Sequence, residues 1–146
     1  MTRSDAWLLH SSNGLVIVTG LVYAWMAYGC ESDDPYAIVG HPWQPHIQHA
    51  HIWVTPLLVL MLGHLWARHA EPHLKRKTGK RKNSGLSMLY SALPMIFSGY
   101  AIMTAIEPVW RKTWIIVHLM ASLIWILGYL VHLLQKVRPV SPLSRN

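Results

Sequence analysis

The chain has 146 residues, a length suited to one domain, and 52% of them are hydrophobic while only 13% are charged, a balance foreign to a soluble domain. The single cysteine excludes an internal disulfide, a four-cysteine iron–sulfur site and covalent attachment of c-type haem. The net charge of +7 suits nucleic acid when taken alone, but the basic residues gather in loops beside apolar segments, so no nucleic acid partner is expected and membrane lipid is. Eight Trp and six Tyr against one Phe is the bias of a membrane interface, where amphipathic rings settle at headgroup level.

Residues 7–28, WLLHSSNGLVIVTGLVYAWMAY, form the first predicted span. Ser11, Ser12, Asn13 and Gly14 interrupt it, so its strongly apolar part is expected to begin at Leu15. It is read as a retained helix rather than a signal peptide, because Arg3 alone precedes it and the bulky Trp25 to Tyr28 do not suit a cleavage site. A loop follows with Glu31, Asp33 and Asp34, no Lys or Arg, and Pro35, Pro42 and Pro45, which forbid a long helix.

The second predicted span covers 46–66, HIQHAHIWVTPLLVLMLGHLW, and includes Pro56, which membrane helices tolerate where neighbours satisfy the released carbonyl. The next loop is basic, with Arg68, Lys75, Arg76, Lys77, Lys80, Arg81 and Lys82. The third span is expected over 86–106, a short turn with Arg111 and Lys112 over 107–113, and the fourth span over 114–134. The tail is polar and carries Lys136, Arg138 and Arg145.

Four spans with short connections predict an all-α fold, a transmembrane four-helix bundle of up-down-up-down topology. The N-terminus, the second loop and the tail hold nearly all the cations, so both termini are expected in the cytoplasm and the acidic first loop outside.

The fourth span is uncharged but holds two histidines, His118 and His132, fourteen residues apart. Fourteen steps of about 100° return to within about 40° of the start and rise about 21 Å, so both imidazoles take one helix face at two depths. Ionisable groups in a span point to a functional site, and neutral imidazole is a common axial ligand of haem iron.

A six-coordinate haem needs a second histidine at matching depth on another helix. His51 lies as far below the start of the second span as His118 does below the start of the fourth, with His49 as its alternate. For His132 two partners compete, His10 early in the first span and His64 late in the second. His51 and His64 are thirteen steps apart, about 140° around a regular helix, which favours His10. Most of the others, His41, His46, His69 and His73, are read as interfacial. The small residues Gly20, Gly63, Ser98, Gly99, Ser122 and Gly128 suit close helix packing. Thr55 and Ser122, each one turn after a candidate ligand, are read as making room for a porphyrin.

With these residues in place, the chain resembles the four-helix di-haem cytochrome b family: bacterial cytochrome b561, the b subunits of nickel–iron hydrogenases and the gamma subunit of membrane formate dehydrogenase. The resemblance is carried by the fourteen-residue spacing of His118 and His132. His51, Thr55, the run from Pro56 to Trp66 and Arg68 add to it, as do Leu93 to Ile96 and Ser98 to Tyr100 in the third span. It implies that His10, His51, His118 and His132 bind the iron of two haem b groups. It also implies electron transport between a membrane quinone and an extracytoplasmic redox protein or catalytic subunit, in a bacterial inner membrane. The chain would then be an electron-transfer subunit of a quinone-linked oxidoreductase in a respiratory chain, rather than a complete enzyme. Its loop between the third and fourth spans is shorter than the family's.

A quinone headgroup is expected near the inner haem, where Asn83, Ser84, Ser87 and Tyr90 offer hydrogen bonds, or on the outer side near Trp43 and His46. Two other readings are open: a stand-alone quinone-linked superoxide oxidase of the cytochrome b561 kind, and a pigment-binding or assembly subunit. An ion or metal carrier fits poorly, because all six acidic residues lie in loops or at span ends.

Overall fold

The computed structural model describes residues 2–66 and 82–137, the side chains of 82–84 and 136–137 excepted. Four helices account for nearly all of them: α1 Arg3–Tyr28, α2 Gln44–Leu65, α3 Lys82–Thr104 and α4 Pro108–Val137. Three are long and apolar enough to cross a membrane: α1, the Gly85–Thr104 part of α3 and the Pro108–Gln135 part of α4. The fourth, α2, starts with Gln44, His46, Gln48, His49 and His51, which lower its apolarity. The basic loop from Arg68 to Arg81, with His69 and His73, and the tail from Arg138 lie outside the described residues.

The helices begin earlier than hydropathy suggests, for local reasons. α1 starts at Arg3 because Thr2 and Asp5 form a reciprocal cap. The Asp5 amide donates to the Thr2 hydroxyl at 3.1 Å, and the Thr2 amide donates to the Asp5 carboxylate at 3.0 Å. Two orphan donors of the first turn are satisfied and a negative charge sits at the positive end of the helix dipole. The helix runs on through the polar Ser11 to Gly14, with the Ser12 hydroxyl turned back to the Leu9 carbonyl at 3.1 Å and Ser12 and Asn13 buried.

α2 takes up Pro45 in its first turn, and α4 begins on Pro108 instead of Trp114. Proline fits these positions because its missing N–H would have no helical partner there. The expected turn over 107–113 therefore shrinks to three residues, 105–107, and Arg111 and Lys112 fall in the first turns of α4. Pro56 and Pro94 lie inside α2 and α3 without ending them.

The chain divides into two compact units, Met1–Pro72 and His73–Asn146. In the first, α1 and α2 pair as an antiparallel hairpin. Asp5 near the start of α1 lies 3.4 Å from His64 near the end of α2, and Gly20 meets His51 further along. Leu58 and Leu65, one and two heptads past His51, are the most buried residues of α2, and Met26 is the buried apolar residue of α1. The acidic loop closing this hairpin is folded on itself. The Asp34 carboxylate accepts from the Tyr36 amide at 2.9 Å, the Ser32 hydroxyl accepts from the Asp34 amide at 3.2 Å, and the Gln44 side chain accepts from the Gly40 amide at 3.2 Å. Gly40 packs so tightly on the Cys30 carbonyl that a Cβ there would collide with it.

In the second unit α3 and α4 pair in the same antiparallel sense. Phe97 packs edge-on against Trp114 with ring centroids 5.4 Å apart, and Gly128 lies against Ser87 and Met88. The buried stripe is Ser91, Ala92, Met95 and Ser98 on α3 facing Ala121, Trp125 and Gly128 on α4. Small side chains bring the two backbones together, which is how helices associate in lipid, where apolar burial offers no preference for protein over acyl chain. The outward faces carry exposed Leu, Ile, Val, Phe and Trp, such as Leu21, Phe97, Ile116, Leu123 and Leu127, the surface that a hydrocarbon surrounding requires.

Candidate functional site

Each hairpin presses one of the candidate ligands into its partner helix. In the first, His51 on α2 lies against α1 at Gly20. A Cβ added to Gly20 would stand 3.0 Å from Cε1 of the imidazole and 3.4 Å from Nδ1. Glycine is needed there because the ring occupies the space that any side chain would fill. The Nδ1 atom is 3.0 Å from the Thr19 hydroxyl. That hydroxyl is also 2.7 Å from the Leu15 carbonyl, an approach that only a shared proton makes favourable. Thr19 thus donates to Leu15, and its oxygen accepts from an Nδ1–H of His51. The imidazole then carries a proton on Nδ1.

The second hairpin repeats the arrangement. His118 on α4 lies against α3 at Gly99, whose added Cβ would stand 3.4 Å from Cε1 and 3.6 Å from Nδ1. Its Nδ1 is 2.9 Å from the Met95 carbonyl and 3.2 Å from the Ser98 hydroxyl. A carbonyl only accepts, so His118 donates from Nδ1. The Ser98 hydroxyl donates to the same Met95 carbonyl at 3.1 Å, which leaves its oxygen able to accept from the imidazole. A hydroxyl residue followed by glycine, Thr19-Gly20 or Ser98-Gly99, thus cradles the Nδ1 edge of a histidine in both units.

A histidine that binds a metal does so through an unprotonated nitrogen, with the other ring nitrogen held by a hydrogen bond that fixes tautomer and orientation. Among the described residues no group of three or more His, Cys, Asp or Glu side chains could hold a metal ion between them.

The other sequence candidates are placed as follows. His10 and His132 are half-buried on α1 and α4, and His132 continues the stripe of His118, Ala121, Trp125 and Gly128 on α4. The alternate ligand His64 is turned to Asp5, its Nε2 3.4 Å from that carboxylate, with 41% of its side chain exposed. The alternate His49 is exposed, as is His46, whereas His51 is half-buried. The Thr55 hydroxyl donates to the carbonyl of His51 itself at 2.7 Å, so it fastens the α2 backbone. Ser122 is half-buried.

Of the residues expected to receive a quinone, the side chains of Ser87 and Tyr90 are described. Ser87 faces α4, its hydroxyl 3.0 Å from the Cβ position of Gly128, while Tyr90 is 71% exposed. The side chains of Asn83 and Ser84 lie outside the described ones. An open groove of about 360 Å³ occurs elsewhere in this unit, at the α3–α4 turn, lined by Phe97, Thr104, Glu107, Trp110 and Trp114 among others.

In the sequence Gly20 is marked only as a small residue, Ser98 and Gly99 as small residues and as part of the Ser98 to Tyr100 stretch, and Thr19 and the Met95 carbonyl carry no mark. The paired hydroxyl–glycine steps, each on the helix preceding one that bears a candidate histidine, were the signal available for them. Compared with known proteins, no family model, no curated protein and no solved structure matches this chain.

Proposed function

We propose that this chain is a membrane-embedded di-haem b-type cytochrome that carries electrons between a quinone pool and an extracytoplasmic redox partner, as one subunit of a larger oxidoreductase. The observation that carries the reading is the doubled cradle: His51 and His118 are each held at Nδ1 by the neighbouring helix.

In this reading His10, His51, His118 and His132 supply the axial imidazoles of the two haems. The engagement of His64 with Asp5 supports His10 as the fourth ligand. The haem iron supplies one-electron chemistry, and the protein supplies ligation, burial and orientation. Thr19, Met95 and Ser98 hold the two imidazoles, Gly20 and Gly99 let them approach, and the apolar helix faces keep the site in hydrocarbon. The reading further places four spans in a bacterial inner membrane with both termini in the cytoplasm, as the distribution of Lys and Arg suggests.

The test is a reduced-minus-oxidised spectrum of the purified protein from cells well supplied with porphyrin, with haem counted per polypeptide. A b-type band and two haems per chain are expected. A colourless protein, or one that binds a pigment without iron, refutes the proposal.

A further inference from the structure

We propose that the groove at the α3–α4 turn binds a hydroquinone, and that it takes this reduced, hydroxyl-bearing form in preference to the quinone because both of its polar side chains accept hydrogen bonds. The proposal deepens the di-haem reading and rests on it only for the use made of the bound molecule; the preference itself belongs to the polypeptide.

The groove has the make-up of a small-molecule site. Its volume of about 360 Å³ falls at the lower end for such sites, which are mostly apolar with a few polar groups that fix orientation. The apolar walls are Phe97 and Ala101 on α3 and Trp110 and Trp114 on α4. Phe97 and Trp114 meet edge to face, their planes 76° apart, and offer flat surfaces against which a third ring can lie. Phe97 is 63% exposed and Trp110 60%, so this ring surface is open to a molecule arriving from the hydrocarbon.

The polar side chains are Thr104 and Glu107. The Thr104 hydroxyl gives its proton to the Tyr100 carbonyl at 3.2 Å, with the Ala101 carbonyl at 3.4 Å, and its oxygen is left to accept. An ionised carboxylate only accepts, and Glu107 carries the one carboxylate side chain in residues 73–146. A negative charge just before the first turn of α4 also favours the helix dipole, but that role does not turn an acceptor into a donor. Two acceptors in one groove call for a ligand with two donors. A quinone has only carbonyl acceptors, whereas its hydroquinone carries two hydroxyl donors on a flat ring. An acyl chain has no donor, and a phospholipid phosphate would face the charge of Glu107.

The groove also adjoins the second cradle. Trp114 precedes His118 by one turn of α4, about 6 Å, and Phe97 adjoins the Ser98–Gly99 step that lies against His118. A ring bound there sits one turn from an imidazole that the di-haem reading gives to iron.

The test is isothermal titration calorimetry of the purified protein in detergent micelles, kept anaerobic and reduced with dithionite. The probes are tetramethylhydroquinone and its dimethyl ether, which keeps the ring and both oxygens but has no donor. The hydroquinone is expected to bind at least about 10-fold more tightly, as loss of hydrogen bonds to a charged acceptor implies. In Glu107→Gln that difference is expected to shrink, because the amide supplies a donor. Ala101→Trp, which fills the groove, is expected to abolish specific binding and leave only partition into the micelle. Glu31→Gln, outside this unit, is expected to bind like the parent. Helix content by circular dichroism identifies a variant that has lost its fold, and should Ala101→Trp do so, the parent and Glu107→Gln carry the comparison. Equal binding of the two probes by the parent, as in a groove that takes any apolar molecule or lipid chain, overturns the proposal. So does a preference unchanged in Glu107→Gln, or tight binding that survives in folded Ala101→Trp. A colourless protein that binds the hydroquinone as expected refutes the cytochrome reading and leaves the site standing; two haems per chain without hydroquinone binding does the reverse.

Discussion

Gly20→Ala isolates the cradle with one carbon atom. The new methyl group would meet Cε1 of His51 at 3.0 Å, Nδ1 at 3.4 Å and Nε2 at 3.7 Å. Carbon atoms rest at about 3.5–4.0 Å, so the imidazole must retreat by a few tenths of an ångström. Retreat lengthens the Thr19–His51 hydrogen bond from 3.0 Å toward the edge of the useful range, which for nitrogen and oxygen ends near ~3.2 Å. Loss of a hydrogen bond of this type costs about 0.5–1.5 kcal/mol. If the cost falls on the ligand-competent state, haem affinity drops about two- to ten-fold, at 1.4 kcal/mol per factor of ten. Titration of the apoprotein with haem, followed at the Soret band, measures it. The control is Gly14→Ala on the same helix, where an added Cβ meets nothing within 4 Å among the described residues, and which should bind like the parent. Equal haem affinity in the two variants would refute the claim that the His51 ring is seated against Gly20.

Three further outcomes are expected. His118→Ala and His132→Ala should each leave one haem per chain by pyridine haemochrome assay, and His10→Ala should remove the same haem as His132→Ala; retention of both haems by the His10 variant would move the fourth ligand to His64. Leu58→Ala removes a side chain only 1% exposed in the first hairpin and should lower stability by about 2–5 kcal/mol, as large-to-small core changes do, read as a lower detergent-denaturation midpoint. Thr2→Ala breaks the reciprocal cap with Asp5 and should cost about 1 kcal/mol at the helix end, seen as faster amide exchange at Asp5 with haem binding unchanged.

The candidate ligands were legible because chemistry and period coincide in the linear chain. His118 and His132 stand out as the only histidines in an uncharged run, and their spacing alone puts them on one face. Their supports were not legible in the same way. Thr19 lies 32 residues from His51, in a span where a lone threonine is unremarkable, and the Met95 carbonyl belongs to a backbone atom that no side-chain pattern encodes. The helices start ahead of the apolar runs for a related reason. Hydropathy registers the apolar run, whereas α1 begins at the Thr2–Asp5 cap and α4 at Pro108, where hydrogen bonds and a fixed φ decide.

The order of residues by itself determined that this protein is helical and apolar, which histidines lie within its apolar segments, and where the cations collect, because these follow from composition and the 3.6-residue period. Only the tertiary structure decided which groups stand beside Nδ1 of His51 and His118. That depends on acceptors brought from another helix to within about 3 Å, and hydrogen bonding at that range is a property of assembled helices, absent from any one segment alone.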